Sequence, residues 1–297
     1  MPQVHPTAFV APECELADDV KIGPYCVLTG CVVLGPGVEL IGNVYIQGPT
    51  RIGAGTTLYP FVCVGFEGQD VKFKRGQASA GVTIGEKCIL REHVTVNAAT
   101  QTERPTRLGD RGFMLIGSHI GHDATVGNDV TFVNAAVVGG HGVIGDNVLL
   151  GGQAAVHQFV RVGRFAHIAG DCAVSQHVPP FCTVNERNRI GGINRVGLRR
   201  AGMSRPHITA VVEAYTSILR DPRTNEVAIA ELRALARRSE CPAVTEMADF
   251  IEACKTTGRG IAPGMGKPPR DAVAWFKAAA RISRQDLPSD EEPLADM

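Results

Sequence analysis

The stretch LGDRGFMLIGSHIGHDATVGNDVTFVNAAVVGGHGVIGDNVLLGG (108–152) decides the fold. Every sixth residue in it is apolar: Leu108, Met114, Ile120, Val126, Phe132, Val138, Ile144 and Leu150. The beat continues through Val156, Val162, Ile168 and Val174. Toward the N-terminus it runs Val4, Val10, Leu16, Ile22, Leu28, Leu34, Leu40, Ile46, Ile52, Leu58 and Val64, and it returns at Ile84, Leu90 and Val96. A helix repeats every 3.6 residues and a half-buried strand every 2, so neither produces this pattern. A six-residue period is the hexapeptide repeat of a parallel β-helix.

Three hexads make one triangular coil of 18 residues. Each beat residue points inward and stacks on its counterpart one coil away, at the strand spacing of about 4.8 Å. The narrow interior also asks for small residues four positions after the beat, where Ala8, Cys14, Val20, Cys26, Val32 and Val38 stand. Glycine often follows the beat (Gly23, Gly35, Gly53, Gly127, Gly145, Gly163), at corners expected to need unusual backbone angles. The expected fold is mainly β, a left-handed parallel β-helix prism over residues 1–190 followed by a C-terminal α-helical domain over 191–285. Two insertions, 65–81 and 97–107, interrupt the prism; the first shifts the phase of the beat and the second keeps it. Beyond Pro179-Pro180, helices are expected over Arg205–Arg220, Asn225–Arg238, Ala243–Lys255 and Arg270–Arg284, the domain capping the open end of the prism against edge pairing. Residues 286–297 carry five acids and no base and read as a disordered tail.

Thirty basic residues balance 30 acidic ones, so no global field points to nucleic acid or to a membrane surface. The nine cysteines are scattered without a CxxC pair. Cys14, Cys26, Cys88 and Cys172 fall on the small interior position, where a thiol acts as an apolar filler, and unpaired thiols suit a reducing compartment. The first residues show no basic-then-apolar leader and no apolar run reaches membrane-spanning length. A cytoplasmic protein without integral membrane association is expected.

The coil length turns sequence separation into position. His122 lies two past the beat, facing outward near a corner. Gly140 and Gln158 follow at intervals of 18, flanked by His141 and His157, so these residues form an axial column, with His119 and Asp123 beside it. A histidine next to a carboxylate is a general base near neutral pH, and a glycine N–H close to a ligand suits an oxyanion. Acyl transfer by direct attack of a hydroxyl or amine fits that pair, since no Ser or Cys nucleophile motif is present. Two rival readings are a three-histidine zinc site of the γ-carbonic anhydrase type, given the His119-x-x-His122 spacing, and an inactive scaffold.

The segments IGSHIGHDATVGNDV (116–130), VVGGHGVIGD (137–146), AVHQFVRVG (155–163) and VPPF (178–181), with GQDVKF (68–73) and GGINRVGLRRAGMSR (191–205), resemble the UDP-N-acetylglucosamine O-acyltransferase family. The resemblance runs to about residue 260. It implies transfer of a (3-hydroxy)acyl chain from acyl carrier protein to the sugar 3-hydroxyl, the first step of lipid A biosynthesis. In that reading His122 is the general base, Asp123 orients it and the Gly140 N–H holds the oxyanion. His119, His141, His157 and Gln158 line the pocket, Asp70 and Lys72 touch the acceptor, and Asn194 and Arg200 lie near the nucleotide or the pantetheine arm. A residue matching Gly170 acts as a chain-length ruler, reached only from a neighbouring subunit of a homotrimer. Two departures stand out: Asn97, where many members have His, and Ala201, where many have a base. Asn97 raises N-acylation of a UDP-3-amino sugar as the runner-up. Six arginines (187, 189, 195, 199, 200, 205) with no acid between Arg187 and Val212 form a patch for the acidic carrier, Arg199 and Arg200 included. No metal or organic cofactor is expected beyond the carrier's phosphopantetheine.

Overall fold

The computed structural model describes residues 1–219, 225–255 and 257–262. The expected helix Arg270–Arg284 and the acidic tail lie outside them. Residues 1–264 form one compact unit.

The hexad beat becomes three parallel sheets, built almost wholly from strands of two or three residues. The first begins at Gln3–Val4 and has 11 strands, the second begins at Phe9–Val10 and has nine, and the third begins at Glu15–Leu16 and has eight. Successive strands belong to different sheets, so the chain winds as a solenoid and each strand pairs with the one a coil away. Leu40 faces Leu58, 18 positions on. Leu58 faces Leu90, 32 positions on, because the 65–81 insertion loops out between them. Leu90 faces Met114 at 24 positions, across the 97–107 insertion, and Met114 faces Phe132 at 18 again. Extra residues therefore leave the prism without disturbing the stacking of the beat.

Beat residues from Ile22 onward are buried. Val4 is 42% exposed, because the first coil has no coil beneath it. The glycines after the beat have a different cause from the one expected. None of Gly23, Gly35, Gly53, Gly127, Gly145 and Gly163 needs positive φ; instead a Cβ there would run into the next coil, 2.1 Å from Ile41 O at Gly23 and 2.6 Å from Gly85 C at Gly53. The left-handed corner lies two residues further on, at positions such as Asp123, Asp129, His141 and Asn147, residue types that tolerate it better than most. All nine cysteines are free, and Cys26, Cys88 and Cys172 are buried in the interior as expected of fillers.

The solenoid ends in an antiparallel hairpin, Cys182–Glu186 with Arg189–Ile193, which the hexad reading did not contain. Helix α1 (Arg195–Arg200) follows, ahead of the first expected helical span at Arg205. Helix α2 (Arg205–Ala214) gives way to a π-helical turn (Tyr215–Leu219), earlier than the expected end at Arg220. Helices α3 (Asn225–Ser239) and α4 (Pro242–Cys254) match their expected spans within a residue. The helices fasten to the solenoid through polar contacts as well as apolar ones. The Tyr215 hydroxyl donates to Ile190 O at 2.7 Å, and Arg164 Nε meets Glu246 Oε2 at 2.6 Å. The chain then returns, with His177 pairing against Gly260 and Ala262. No described helix is long and apolar enough to cross a membrane.

Candidate active site

His122 and Asp123 occupy the edge between the second and third sheets, just after the strand His119–Ile120. Asp123 takes the left-handed corner, with φ +60, which turns its carboxylate back onto the neighbouring imidazole. His122 Nδ1 and Asp123 Oδ2 are 2.7 Å apart, and both residues are buried. Burial opposes ionisation of Asp123, but hydrogen bonds from Thr100 and His122 outweigh it and hold the carboxyl below its ordinary value. An ionised Asp123 fixes the proton on Nδ1, which leaves Nε2 as the free base.

Nε2 faces Gly140. A Cβ added there would lie 2.5 Å from Nε2 and 2.6 Å from Cε1. Gly140 has no positive φ, so the imidazole, not the backbone angle, requires a glycine. The Gly140 N–H makes no hydrogen bond among the described residues. A free base and a free backbone donor thus sit side by side, with no side chain between them.

His141 continues the corner one coil up. Its ring stands edge-on to His122 at 5.2 Å and stacks on Phe159 at 4.6 Å, with Nε2 3.6 Å from Asp123 Oδ2. Burial pushes the His141 imidazole below its ordinary value; Asp123 pulls against this, and the charges of His122 and Arg104 reinforce it. Burial and His122 likewise lower His119, whose Nδ1 lies 2.7 Å from Thr95 Oγ1. In both flanking imidazoles burial thus disfavours the charged form. His157 and Gln158 stand exposed above, His157 Nδ1 being 3.2 Å from Gln158 O.

The 65–81 loop folds over this edge: a Cβ on its Gly68 would lie 2.9 Å from His122 Cβ. Asp70 acts electrostatically on His141, and its Oδ1 accepts the Lys72 N–H at 2.9 Å. Asn97 lies beneath the loop and donates from Nδ2 to Glu67 O at 3.2 Å and Phe66 O at 3.5 Å, while its Oδ1 is buried without a partner. Its amide holds the loop down, and the N-acyl alternative gains nothing from it.

Several expected site residues stand elsewhere on the chain. Asn194 caps α1, its Oδ1 accepting from Gly197 N and its Nδ2 donating to Phe165 O, each at 2.9 Å. Arg199 and Arg200 are exposed on α1. The cavity lined by Asn194 and Arg200 also includes Asp129, Leu149 and His167, and so opens by the edge between the third and first sheets. Gly170 lies on the remaining edge, between the first and second sheets. It too lacks positive φ, and a Cβ there would meet only Gly152, at 3.3 Å from its O. Within one chain, then, His119, His122, Asp123, Gly140, His141, Asp70 and Asn97 come together, while Gly170, Asn194, Arg199 and Arg200 do not join them.

Two residues of the site escaped the sequence reading. Thr100 donates to Asp123 from both N and Oγ1, at 3.0 and 2.6 Å, and Thr106 Oγ1 accepts the Asp123 N–H at 2.7 Å. The available signal was a threonine, Thr106, on the small interior position as the chain re-enters the prism. His122, Asp123 and His141 also bring ligand atoms within 4.8 Å of one another. However, Asp123 already accepts from Thr100 and His122, so a metal would have to displace those bonds.

The sequence profile described as Udp N-acetylglucosamine O-acyltransferase, Domain 2, matches residues 177–262. An acyl-[acyl-carrier-protein]--UDP-N-acetylglucosamine O-acyltransferase of Rhizobium johnstonii is 40% identical over 256 residues, covering 84% of this chain and 92% of the relative. One from Thermodesulfovibrio yellowstonii is 37% identical over 263 residues, covering 88% and 99%. The solved Francisella novicida UDP-N-acetylglucosamine acyltransferase superposes with a TM-score of 0.82 at 30% identity, covering 91% of this chain and 96% of that one. With relatives of this identity matched nearly end to end, the chain belongs to the UDP-N-acetylglucosamine O-acyltransferase family.

Proposed function

We infer that this chain is the acyltransferase that moves an acyl group from acyl carrier protein to the 3-hydroxyl of UDP-N-acetylglucosamine, the reaction that opens lipid A biosynthesis. The observation that carries the mechanism is the pairing of the His122 Nε2, turned away from Asp123, with an unbonded Gly140 N–H. Nε2 takes the proton as the sugar oxygen attacks the thioester carbon. The Gly140 N–H stabilises the oxyanion that forms. When the intermediate collapses, the C–S bond breaks and Nε2–H returns the proton to the departing pantetheine sulfur. Asp123, held by Thr100 and Thr106, keeps the imidazole in the correct tautomer throughout and stabilises its charged form. No step needs a metal, and we place none in the reaction.

The remaining residues fit a homotrimer in which a neighbouring copy brings its Gly170 edge against the His122 edge. The glycine there is not required by a positive φ, and a Cβ would meet only the Gly152 backbone at 3.3 Å, which fits a role in leaving room for a long acyl chain. Arg199 and Arg200, with the four other exposed arginines of 187–205, suit docking of the acidic carrier. Nine unpaired cysteines favour a reducing, cytoplasmic setting.

The test is purified protein with acyl carrier thioesters and UDP-N-acetylglucosamine, read by mass spectrometry, with and without EDTA. The expected product is the O-acylated nucleotide sugar, formed equally after chelation. Absence of acyl transfer would overturn the function, and loss of activity on chelation together with about one bound metal per site would overturn the metal-free mechanism.

A further inference from the structure

The 97–107 insertion is tied to Asp123 near both of its ends, once at its carboxylate and once at its backbone N–H. Thr100 bonds Asp123 from one side, and Thr106 accepts the Asp123 N–H from the other. Arg104 lies between these anchors. It lies two positions before Thr106, so its Cα is at most about 7 Å from that anchor even when fully extended. Its side chain is exposed. The adjacent carboxylate that would normally neutralise it, Glu103, is folded back instead to accept from Thr102 N and Oγ1, at 3.1 and 3.4 Å. Arg104 itself makes no hydrogen bond or ion pair among the described residues. Its charge nonetheless reaches His141, the imidazole stacked one coil above the base. Across the edge, Asp70 acts on His141 with the opposite sign, but one of its oxygens is engaged by the Lys72 N–H. Arg104 therefore stands exposed and without a partner among the described residues, on a loop that is anchored on both sides of it to Asp123.

We propose that Arg104 recognises a phosphate of a bound substrate at this edge. A guanidinium presents paired donors that match phosphate oxygens, and both substrates of the proposed reaction carry phosphate: the diphosphate of the nucleotide sugar and the phosphodiester of the carrier's pantetheine arm. This role rests on the placement of His122 and Gly140 as the reacting edge. It makes Arg104 a binding residue whose loss raises KM and leaves the chemical step intact.

Steady-state kinetics of Arg104→Gln test this, titrating each substrate with the other saturating and repeating the series with an acyl-pantetheine donor that lacks the phosphate. One KM should rise about tenfold while kcat stays within about twofold of wild type, and Arg104→Lys should recover most of the loss. A rise in KM for acyl carrier protein that vanishes with acyl-pantetheine assigns the phosphodiester. A rise in KM for UDP-N-acetylglucosamine with either donor assigns the diphosphate. Both KM values within twofold of wild type would overturn the proposal, as would a fall in kcat at constant KM, the mark of a disturbed Asp123 clamp. His122→Ala separates the two levels. If it is inactive while Arg104→Gln is silent, only the Arg104 assignment falls; if it turns over normally, the reading of the edge falls as well.

Discussion

Two edges of the same solenoid carry the same register of outward residues, two past the beat, and use it in opposite ways. On the edge between the third and first sheets these are Glu86, Asp110, Asn128 and Asp146. Each of the first three has its backbone N–H accepted by the side chain one coil up: Glu86 N by Asp110 Oδ1 at 2.9 Å, Asp110 N by Asn128 Oδ1 at 2.8 Å, and Asn128 N by Asp146 Oδ1 at 2.7 Å. Arg111 and Asp129 clamp the same corner at 2.6 Å. On the edge between the second and third sheets the residues are His122, Gly140 and Gln158. Gly140 has no side chain to offer His122, Gln158 makes no bond to Gly140, and the Gly140 N–H is left open. A corner that closes its own donors stabilises the coil stack, whereas one that leaves them open offers them to a ligand. The difference lies in which side chains occupy one position of the repeat.

The largest effect that separates the edges is expected from His122→Ala, which should lower the rate by about 10²–10⁴ while melting temperature and assembly stay near wild type. Turnover within tenfold of wild type would remove the general base from this edge. Next in size is a change in selectivity. Gly170→Met, assayed on a ladder of donors, should move the optimum to shorter acyl chains and spare the rate on the shortest; an unmoved optimum would detach the third edge from the site. The ladder edge should answer in the opposite currency. Asn128→Ala removes the acceptor from Asp110 N and is expected to cost about 1 kcal/mol of stability, read from a denaturant midpoint, with kcat unchanged. A loss of turnover with no loss of stability would erase the distinction between the edges.

A smaller effect tests how the helical part is tied on. His177 is buried, its Nδ1 accepts the Arg161 N–H at 2.9 Å, and burial lowers its pKa to about 4, with Arg161 and Arg259 adding to the shift. The unfolded chain binds a proton there near the ordinary histidine value of 6.5, so between that pH and about 4 the unfolded state holds more protons. Stability from this residue is complete above that window and declines as pH falls through it. A stability-against-pH curve should flatten in that interval for His177→Gln; an unchanged slope would place the pH dependence elsewhere.

The architecture was legible because each coil repeats one requirement, an aliphatic residue facing a narrow interior, and the requirement survives both insertions. The column of His122, Gly140 and Gln158 followed from the 18-residue step alone. What the repeat could not show was anything placed by a loop or by a close approach. Thr100 and Arg104 belong to an insertion whose path has no period. The corner glycines answer to neighbouring coils rather than to φ, a distinction that needs coordinates. The hairpin of 182–193 and the short helix α1 fall after the beat stops, and the conversion of Asn194 into a helix cap depends on where that helix begins. Arg200 and Asn194 were grouped with His122 by resemblance, and a single chain does not unite them, whereas Gly170 falls on a different edge from His122 as expected.

The central claim is that Gly140 is glycine so that the His122 imidazole can lie against an open N–H. Gly140→Ala tests it most directly, measured for kcat and for melting temperature alongside Gly192→Ala, where an added Cβ meets nothing within 4 Å. The expected result is a fall in kcat of about 100-fold or more for Gly140→Ala with a melting temperature close to wild type, and no change in either quantity for Gly192→Ala. A Gly140→Ala enzyme that turns over like wild type would contradict the claim.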